Sequence, residues 1–218
     1  MIDADPRVLI PAAGEIRTRC DAIVEKLELD PLDVRTRSLL HVKQFCASHV
    51  VIPMRLYEVS SSSGGKRLLQ LLFRASTPGD IDVALDNLLK QNKLAFITSS
   101  QFIFEWCMSS MLTRVKGTHE VWGFLKVLRA LQDELGIPPN PMGQHLRAAA
   151  ELRNSLHLAG VHAKRPFRAN VGGTLYEFKK GKKAECASWE DVLHLVRHNL
   201  DHYETLFSKA GTSEIPFS

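Results

Sequence analysis

MGQHLRAAAELRNSLHL, residues 142–158, predicts an amphipathic helix whose apolar face also carries an arginine and a histidine. At about 100° per residue, Arg153 and His157 lie on the same side as most of the apolar residues. Glu151 and Ser155 lie on the opposite side. Because an arginine buried without a partner costs several kcal/mol, we predict that Arg153 either pairs with an internal carboxylate or faces a pocket or an interface.

Helical periodicity also dominates the sequence on both sides of this stretch. Further helices are predicted over residues 13–29, 31–50, 66–75, 80–92, 95–115, 119–135 and 189–209. The alternating segment TLYEF, residues 174–178, with KKGK, residues 179–182, after it, predicts a small β-hairpin. The expected fold class is all-α, a helical bundle with a small β-hairpin insertion before the last helix. We divide it into an N-terminal helical region, residues 1–93, and a helical bundle, residues 94–210.

Three stretches are expected to interrupt the helices. Pro53 should bend or end the second helix, because proline lacks the backbone N–H that an interior helical position donates. The run SSSSGG, residues 60–65, predicts a flexible linker or loop. GIPPNP, residues 136–141, predicts a rigid connector before the helix at 142–158.

The composition is that of an ordinary soluble globular protein, with 44% hydrophobic residues among 218 and a net charge of +4. The cysteines stand far apart and form no C-x-x-C pair, which predicts core thiols in a reducing cytoplasm: Cys20, Cys46, Cys107 and Cys186. The acidic start and the lack of a long uncharged apolar run indicate neither a signal peptide nor a membrane span. We expect a cytoplasmic protein that uses no metal and no cofactor.

The positive charge is concentrated in the segment 164–183, directly after the helix at 142–158. Against the single acid Glu177, this segment carries seven basic residues, which are candidates for nucleic-acid binding: Lys164, Arg165, Arg168, Lys179, Lys180, Lys182 and Lys183. A local positive field attracts phosphate groups. A basic hairpin that is merely solvated is the alternative interpretation.

A carboxylate is expected inside the bundle. Residues 95–115 are apolar around nearly the whole circumference of their predicted helix, so this helix should be central and largely buried. It carries Glu105, and a buried carboxylate needs a partner. Arg153 is the natural candidate, so we predict that Glu105 is its structural partner. Such a pair fits a purely structural role and also fits a catalytic arginine held in place by an acid.

The helix bearing Glu105 is followed by a second long helix, a helix ending in RNSLH (residues 153–157), a short hairpin and a closing helix. This order, with Gly160 close behind the RNSLH segment, resembles the HEPN superfamily of helical-bundle domains over roughly residues 95–209. Many members are metal-independent endoribonucleases of toxin–antitoxin, defence or RNA-processing systems, and others are inactive binding or dimerisation modules. The catalytic members separate arginine and histidine by more residues than the three found here.

The resemblance implies a site made of Arg153, Asn154 and His157 that engages RNA or a nucleotide. In metal-free RNA cleavage His157 would act as general acid or base, because histidine titrates near neutral pH. Arg153 would bind the phosphate, and Asn154 would hydrogen-bond backbone or phosphate nearby. The implied partners are RNA or a nucleotide, a second subunit in a homodimer, and a protein such as an antitoxin.

Two other interpretations stay open at this point. The first is a non-enzymatic helical module for dimerisation or protein interaction, in which Arg153 and Glu105 form a structural pair. The second is a binder of small nucleotides. On the last helix, His194, His198 and His202 have a spacing that could bind a metal from one face, but their acidic and polar neighbours favour a solvated face. His162 is interpreted as a loop histidine.

Overall fold

The structure is a computed structural model that describes residues 5–117, 120–211 and 215. Within them the chain forms seven helices and one two-stranded antiparallel sheet, in the order α1 (Pro6–Lys26), α2 (Val34–Ser60), α3 (Ser63–Phe73), α4 (Pro78–Lys116), α5 (Phe124–Glu134), α6 (Met142–His157), β1 (Phe167–Val171), β2 (Thr174–Phe178) and α7 (Trp189–Lys209). The prediction of an all-α bundle with a small hairpin before the last helix is confirmed. None of the described helices is both long enough and apolar enough to cross a membrane.

The first two helices are longer than their predicted ranges. α1 begins at Pro6 rather than near residue 13, and the side chain of Asp5 caps it. α2, predicted over residues 31–50, begins at Val34 with Asp33 as its cap, and it continues through Pro53 to Ser60. Pro53 is buried, so tertiary packing outweighs the hydrogen bond that this proline cannot make. Of the predicted linker at 60–65, only Ser61 and Ser62 lie outside the helices, between the end of α2 at Ser60 and the start of α3 at Ser63.

α4 is one helix of 39 residues, where the sequence predicted separate helices over 80–92 and 95–115. It packs against α2, α3, α5, α6 and α7, which makes it the central element of the bundle. The proposed division at residue 93 falls inside α4, and the main hydrophobic core contains residues from both sides of that position. The division into two units stays a prediction.

The helix predicted over 119–135 begins only at Phe124 and forms α5. Residues 118 and 119 lie outside the described residues. Phe124, Leu128 and Leu131 are buried, whereas Trp122 precedes the helix and is 74% exposed. Helical spacing over the predicted range 119–135 would place Trp122 on the inner face with these residues, and this fails because the residues before Phe124 are not helical.

The hairpin turns at Gly172 and Gly173. The strand that pairs with the segment 174–178 therefore precedes this segment, whereas the prediction placed the turn after it. The strands pair from Phe167 opposite Phe178 to Val171 opposite Thr174. Both strands contact α6, and their buried side chains join the main core: Ala169, Val171, Tyr176 and Phe178. The hairpin therefore closes one side of the bundle.

The tight turn of the hairpin should not tolerate a side chain at Gly172. This residue has a φ of 55°, and a Cβ built on it would lie 2.1 Å from Nε2 of His198. We expect Gly172→Ala to lower the free energy of unfolding by about 1 kcal/mol, from left-handed backbone strain and displacement of the imidazole. Urea denaturation measures the effect. Gly173→Ala has similar strain but no neighbouring atom within 4 Å, so a larger loss at Gly173 than at Gly172 would contradict this explanation.

A buried ion pair joins the start of α2 to the region after α7. Asp33 and Arg35 are both 1% exposed, and the guanidinium donates to the two carboxylate oxygens at 2.9 and 2.7 Å. The same guanidinium donates to the carbonyl oxygens of Phe207 at 3.1 Å and Gly211 at 2.6 Å. The backbone N–H of Ile215 donates to Asp33 at 3.0 Å. The charges of the pair are thus extensively hydrogen-bonded, as burial requires.

Candidate functional site

The RNSLH segment occupies the last turns of α6, where the chain reverses direction. The carbonyl of Ser155 accepts hydrogen bonds from the backbone N–H groups of Leu158 at 3.1 Å and Gly160 at 2.8 Å. Ala159 and Gly160 both have positive φ values, 56° and 87°, which turn the backbone away from the helix. His157 lies on the last turn and is exposed.

Arg153 and Glu105 do not form the predicted pair in the described part of the chain. Nη2 of Arg153 donates to the side-chain oxygen of the adjacent Asn154 at 3.1 Å. Glu105 instead accepts a hydrogen bond from the backbone N–H of Gly123 at 3.0 Å and so holds the start of α5. Both charged groups are only half-buried, so each can stay partly hydrated without the other. The expectation failed because it assumed a fully buried carboxylate.

The faces of α6 also differ from the prediction. Glu151 and Ser155, expected on the outer side, are buried, while His157 is exposed. The reason is that α6 packs against helices on one side and the hairpin on another, so it has no free polar face near its middle. Ser155 donates to the carbonyl of Glu151 at 2.9 Å, and its hydroxyl lies 3.3 Å from Nδ1 of His162.

His162 lies in the loop after α6, as predicted, but it is buried. Its Nε2 lies 2.9 Å from the carbonyl oxygen of Arg165, and because that oxygen can only accept, Nε2 carries the proton. The backbone N–H of His162 donates to the carbonyl of Lys182 at 2.9 Å. Its ring also packs against Phe178. His162 therefore stabilises the loop and does not face solvent.

The segment after the hairpin is held beside the end of α6 by backbone hydrogen bonds. The N–H of Gly181 donates to the carbonyl of His162 at 2.7 Å, and the N–H of Ala184 donates to the carbonyl of Gly160 at 2.8 Å. Val161 and Lys183 form an isolated antiparallel bridge. These contacts place the segment that carries Lys183 beside the loop that follows α6, although the two are far apart in sequence.

An open cleft of about 340 Å³ lies between α4, the end of α6 and the segment 183–187. Its ionisable lining residues are Lys90, Lys93, His157 and Lys183, and the described lining contains no acid. The rest of the lining is neutral: Asn87, Gln91, Leu156, Ala159, Gly160, Ala184 and Ala187. The charge and the size of the cleft suit an anionic small molecule or one unit of a polyanion.

Lys93 is the most buried cation of the cleft, at 7% exposure. It lies on the buried face of α4 beside Leu89 and Phe96, and its Nζ donates to the carbonyl of Ala187 at 2.9 Å. Lys93 and Lys90 are not among the predicted site residues, because both belong to the helical region predicted before the bundle. A lysine within an apolar helical stripe is the same pattern that drew attention to Arg153, and it could have identified Lys93.

The predicted site residues are only partly brought together. His157 and Lys183 line the cleft, whereas Arg153 and Asn154 are not among its lining residues. The other basic residues of the segment are exposed elsewhere on the hairpin side: Lys164, Arg165, Arg168, Lys179, Lys180 and Lys182. Glu177 lies opposite Arg168 in the hairpin and forms an ion pair with Lys179 at 2.8 Å, which raises the pKa of that lysine.

The histidines of α7 do not form the solvated face that the sequence predicted. His194, His198 and His202 are half-buried because the hairpin and α6 cover this side of α7. The hydroxyl of Tyr176 lies 2.9 Å from Nδ1 of His194. Nε2 of His202 lies 2.8 Å from Nδ1 of His145 on α6. Neighbouring side chains on the hairpin and α6 were not visible from the periodicity of α7 alone.

Metal and thiol chemistry gain no support from the described residues. Among them, no group of three or more histidine, cysteine, aspartate or glutamate side chains is arranged to hold a metal ion. The four cysteines are free thiols. Burial raises the pKa of the Cys20, Cys46 and Cys107 thiols to about 12, which suppresses the reactive thiolate.

The fold neither establishes nor contradicts the resemblance to the HEPN superfamily. The order of elements from α4 to α7 follows the predicted order, but Arg153 and His157 do not line one cleft. The superfamily relationship therefore stays a prediction. Comparisons of this chain with protein-family models, with curated proteins and with solved structures give no match.

Proposed function

We propose that this protein binds a phosphate-bearing ligand, RNA or a nucleotide, in the cleft beside His157. The observation that carries the proposal is the concentration of cations there: three lysines and a histidine line the cleft, and none of its described lining residues is acidic. Two of these groups, His157 and Lys183, belong to the motif and the basic segment that the sequence singled out. We also propose that the protein acts in the cytoplasm, where such ligands are abundant.

The lysines differ in how they would act on a phosphate. Lys93 is nearly buried, so its charge is less screened by water and would interact more strongly with an anion. Lys183 is exposed and projects from a segment fixed by backbone hydrogen bonds. Lys90 forms an ion pair with Asp86, so part of its charge is already compensated. Lys183 should therefore contribute more to the binding than Lys90.

RNA cleavage would require more than the cleft of one chain provides. Transfer of the 2′-hydroxyl proton and protonation of the leaving oxygen need two proton-transfer groups. His157 can supply one of them, and it is the single histidine among the described lining residues. A second copy of the chain would have to supply the other. We therefore propose binding as the function of the single chain, and metal-independent endoribonuclease activity as a property that depends on a dimer.

The kind of cellular system in which this binding would occur is taken from the resemblance to the HEPN superfamily. A HEPN-like protein that engages RNA would act in a toxin–antitoxin, defence or RNA-processing system. The competing proposal is a non-enzymatic module for dimerisation or protein interaction, with an antitoxin-like protein as one candidate partner. The predicted Arg153–Glu105 pair, on which that alternative depended, is not formed among the described contacts.

Fluorescence anisotropy with a labelled single-stranded RNA tests the proposal. We expect Lys183→Ala to weaken binding about tenfold, because a charge-assisted contact to phosphate contributes roughly 1.5–3 kcal/mol and the variant retains Lys93. Plotting affinity against salt should give a slope lower in magnitude by about 0.7 for the variant, the value for one lost contact on a single strand.

Lys180→Ala is the matched control, since Lys180 is an exposed lysine of the same segment that does not line the cleft. We expect it to bind nearly as wild type. Equal losses for both variants would show a diffuse positive field rather than a site, and no binding by wild type would reject the proposal. Incubating the same RNA with wild type and His157→Ala in EDTA then tests cleavage. Loss of cleavage with retained binding assigns proton transfer to His157.

A further inference from the structure

The walls of the cleft beside His157 differ in their chemistry. α4 contributes two carboxamide side chains, Asn87 and Gln91, in addition to its lysines. The end of α6 with its following loop and the segment 183–187 contribute mainly small apolar residues, besides His157 and Lys183. A site for phosphate alone would need only the cations. The amides and the apolar residues therefore indicate a ligand with a second, uncharged part.

The two amides are placed to act on one group of a ligand. Asn87 and Gln91 are four residues apart on α4, so they share a face of the helix with their Cβ atoms about 5–6 Å apart. Both are exposed, and among the described residues no partner is hydrogen-bonded to either side chain. Each carboxamide carries an N–H donor beside a carbonyl acceptor. Both are thus available to a planar group whose edge has an acceptor next to a donor.

The walls that face α4 leave room for a flat ring. They are lined by three alanines and a glycine, together with the larger Leu156: Ala159, Gly160, Ala184 and Ala187. Covering apolar surface of this kind with a ring removes it from water, which is favourable. The volume of about 340 Å³ lies near the lower end of the range for small-molecule sites, roughly 300–1,000 Å³. The cleft therefore suits one nucleotide, with its base as the uncharged part.

We infer that the cleft binds an adenosine phosphate, with the adenine between the amides and the apolar walls and the phosphate on the cations. This inference rests on the proposed function and narrows its ligand. Adenine presents its N6 amino donor next to the N7 acceptor, the pattern that asparagine and glutamine side chains bind bidentately. Guanine presents two acceptors at the same edge, and one carboxamide cannot satisfy both. A two-ring base also covers more apolar surface than a pyrimidine.

The ion pair of Lys90 with Asp86 favours adenine over guanine as well. A lysine beside a base donates to the two acceptors of guanine, so an unpaired lysine next to the amides would favour that base. Lys90 lies next to Gln91 in the sequence, and its ammonium group is already paired with Asp86. The carboxamides of Asn87 and Gln91 are therefore left to determine which base is bound.

Isothermal titration calorimetry of the full chain with AMP, ribose 5-phosphate, GMP and UMP tests the inference. We expect AMP to bind about tenfold or more tighter than ribose 5-phosphate, and about threefold or more tighter than GMP and UMP. Gln91→Met keeps the length of the side chain but removes the amide. It should weaken AMP binding about tenfold, the loss of one bidentate contact, and leave the affinity for ribose 5-phosphate unchanged. Circular dichroism checks that the variant is folded.

Gln44→Met is the matched control, because Gln44 is an exposed glutamine on α2 that does not line the cleft. It should bind AMP as wild type does. Equal affinities for AMP and ribose 5-phosphate, GMP or UMP binding as tightly as AMP, or unchanged AMP binding by Gln91→Met would overturn the inference and leave phosphate binding in place. No binding of any of these compounds would also overturn it, and the RNA titration then decides separately on the proposed function.

Tetraadenylate distinguishes the two sources of an adenosine phosphate, which are RNA and a free nucleotide. Binding of tetraadenylate tighter than that of AMP assigns the site to an adenylate within RNA, and weaker binding assigns it to a free nucleotide. In both cases Gln91→Met should weaken the tighter ligand about tenfold. A variant that binds that ligand as wild type does would contradict base recognition by the amides.

Discussion

Asp33→Ala should lower the free energy of unfolding by about 3–5 kcal/mol, the largest effect we expect from a single substitution in this chain. Removing the carboxylate leaves the guanidinium of Arg35 buried without its counter-ion, and this is more costly than the loss of an exposed pair. It also removes the side-chain cap of α2 and the acceptor for the N–H of Ile215. Urea denaturation at neutral pH measures the loss.

Two further variants separate the buried charge from the hydrogen bonds. Asp33→Ala/Arg35→Leu removes both charges and should be more stable than Asp33→Ala alone. Asp21→Ala breaks the exposed pair with Lys43 and should cost less than about 1 kcal/mol. A loss at Asp33 no greater than the loss at Asp21 would show that the buried pair contributes no more than a surface one.

The Asp33–Arg35 pair also makes the free energy of unfolding depend on pH in acid. Burial raises the pKa of Asp33, but the hydrogen bonds from Arg35 and Ile215 lower it by more, so the pKa lies below its ordinary value of 3.8. A carboxylate with a lowered pKa stabilises the folded state above its unfolded pKa. This contribution is lost as the pH falls below about 4 and through the lowered pKa.

His202 should make the protein less stable in mild acid. Burial and the neighbouring His145 lower the pKa of His202 from 6.5 to about 4. The unfolded chain therefore takes up the proton first, and stability falls as the pH decreases from 6.5 to about 4. We expect a loss of about 2 kcal/mol over that interval, roughly half the full linkage value because the side chain is partly hydrated. Urea denaturation at a series of pH values measures it.

His202→Leu tests the assignment. It removes the titrating group, so most of the decline between pH 6.5 and about 4 should disappear. His145→Leu removes the neighbour, whose own pKa is also lowered by burial, and its decline should be intermediate. Some dependence should persist in both variants because burial and the adjacent His194 also lower the pKa of His198. An unchanged decline in His202→Leu would place the titrating group elsewhere.

Local sequence patterns correctly predicted the helices whose ends are marked by capping residues, glycine or proline. Ser188 caps α7 with Asp191 in a reciprocal hydrogen-bonding arrangement, and the start of that helix was predicted correctly. Gly160 and the proline connector likewise bounded α6. The long continuous helix α4 could not be predicted, because the polar residues near 93 resemble a break in the apolar pattern. In the structure Lys90, Gln91 and Lys93 line the cleft beside the end of α6, and Asn92 is hydrogen-bonded to His49 on α2.

The candidate site was predictable only in part, because periodicity describes one helix at a time. Periodicity identifies side chains of one helix that share a face, and it selected His157 together with Arg153. It carries no information about which other element covers that face. Lys93 and Lys183 join His157 only through the packing of α4 and the pairing of segment 183–187 with the loop after α6. Such a site depends on tertiary contacts between residues that are distant in sequence.

The contacts around Asp33 and Arg35 have a consequence for synthesis on the ribosome. Arg35 donates to the carbonyls of Phe207 and Gly211, and Asp33 accepts from Ile215, so these partners emerge long after the pair itself. α1 packs against α7, which is also translated late. The nascent chain therefore holds two charges whose burial stays unfavourable until residues 207–215 have left the exit tunnel. We expect the first helices to remain loosely packed during translation and the bundle to close only after release of that segment.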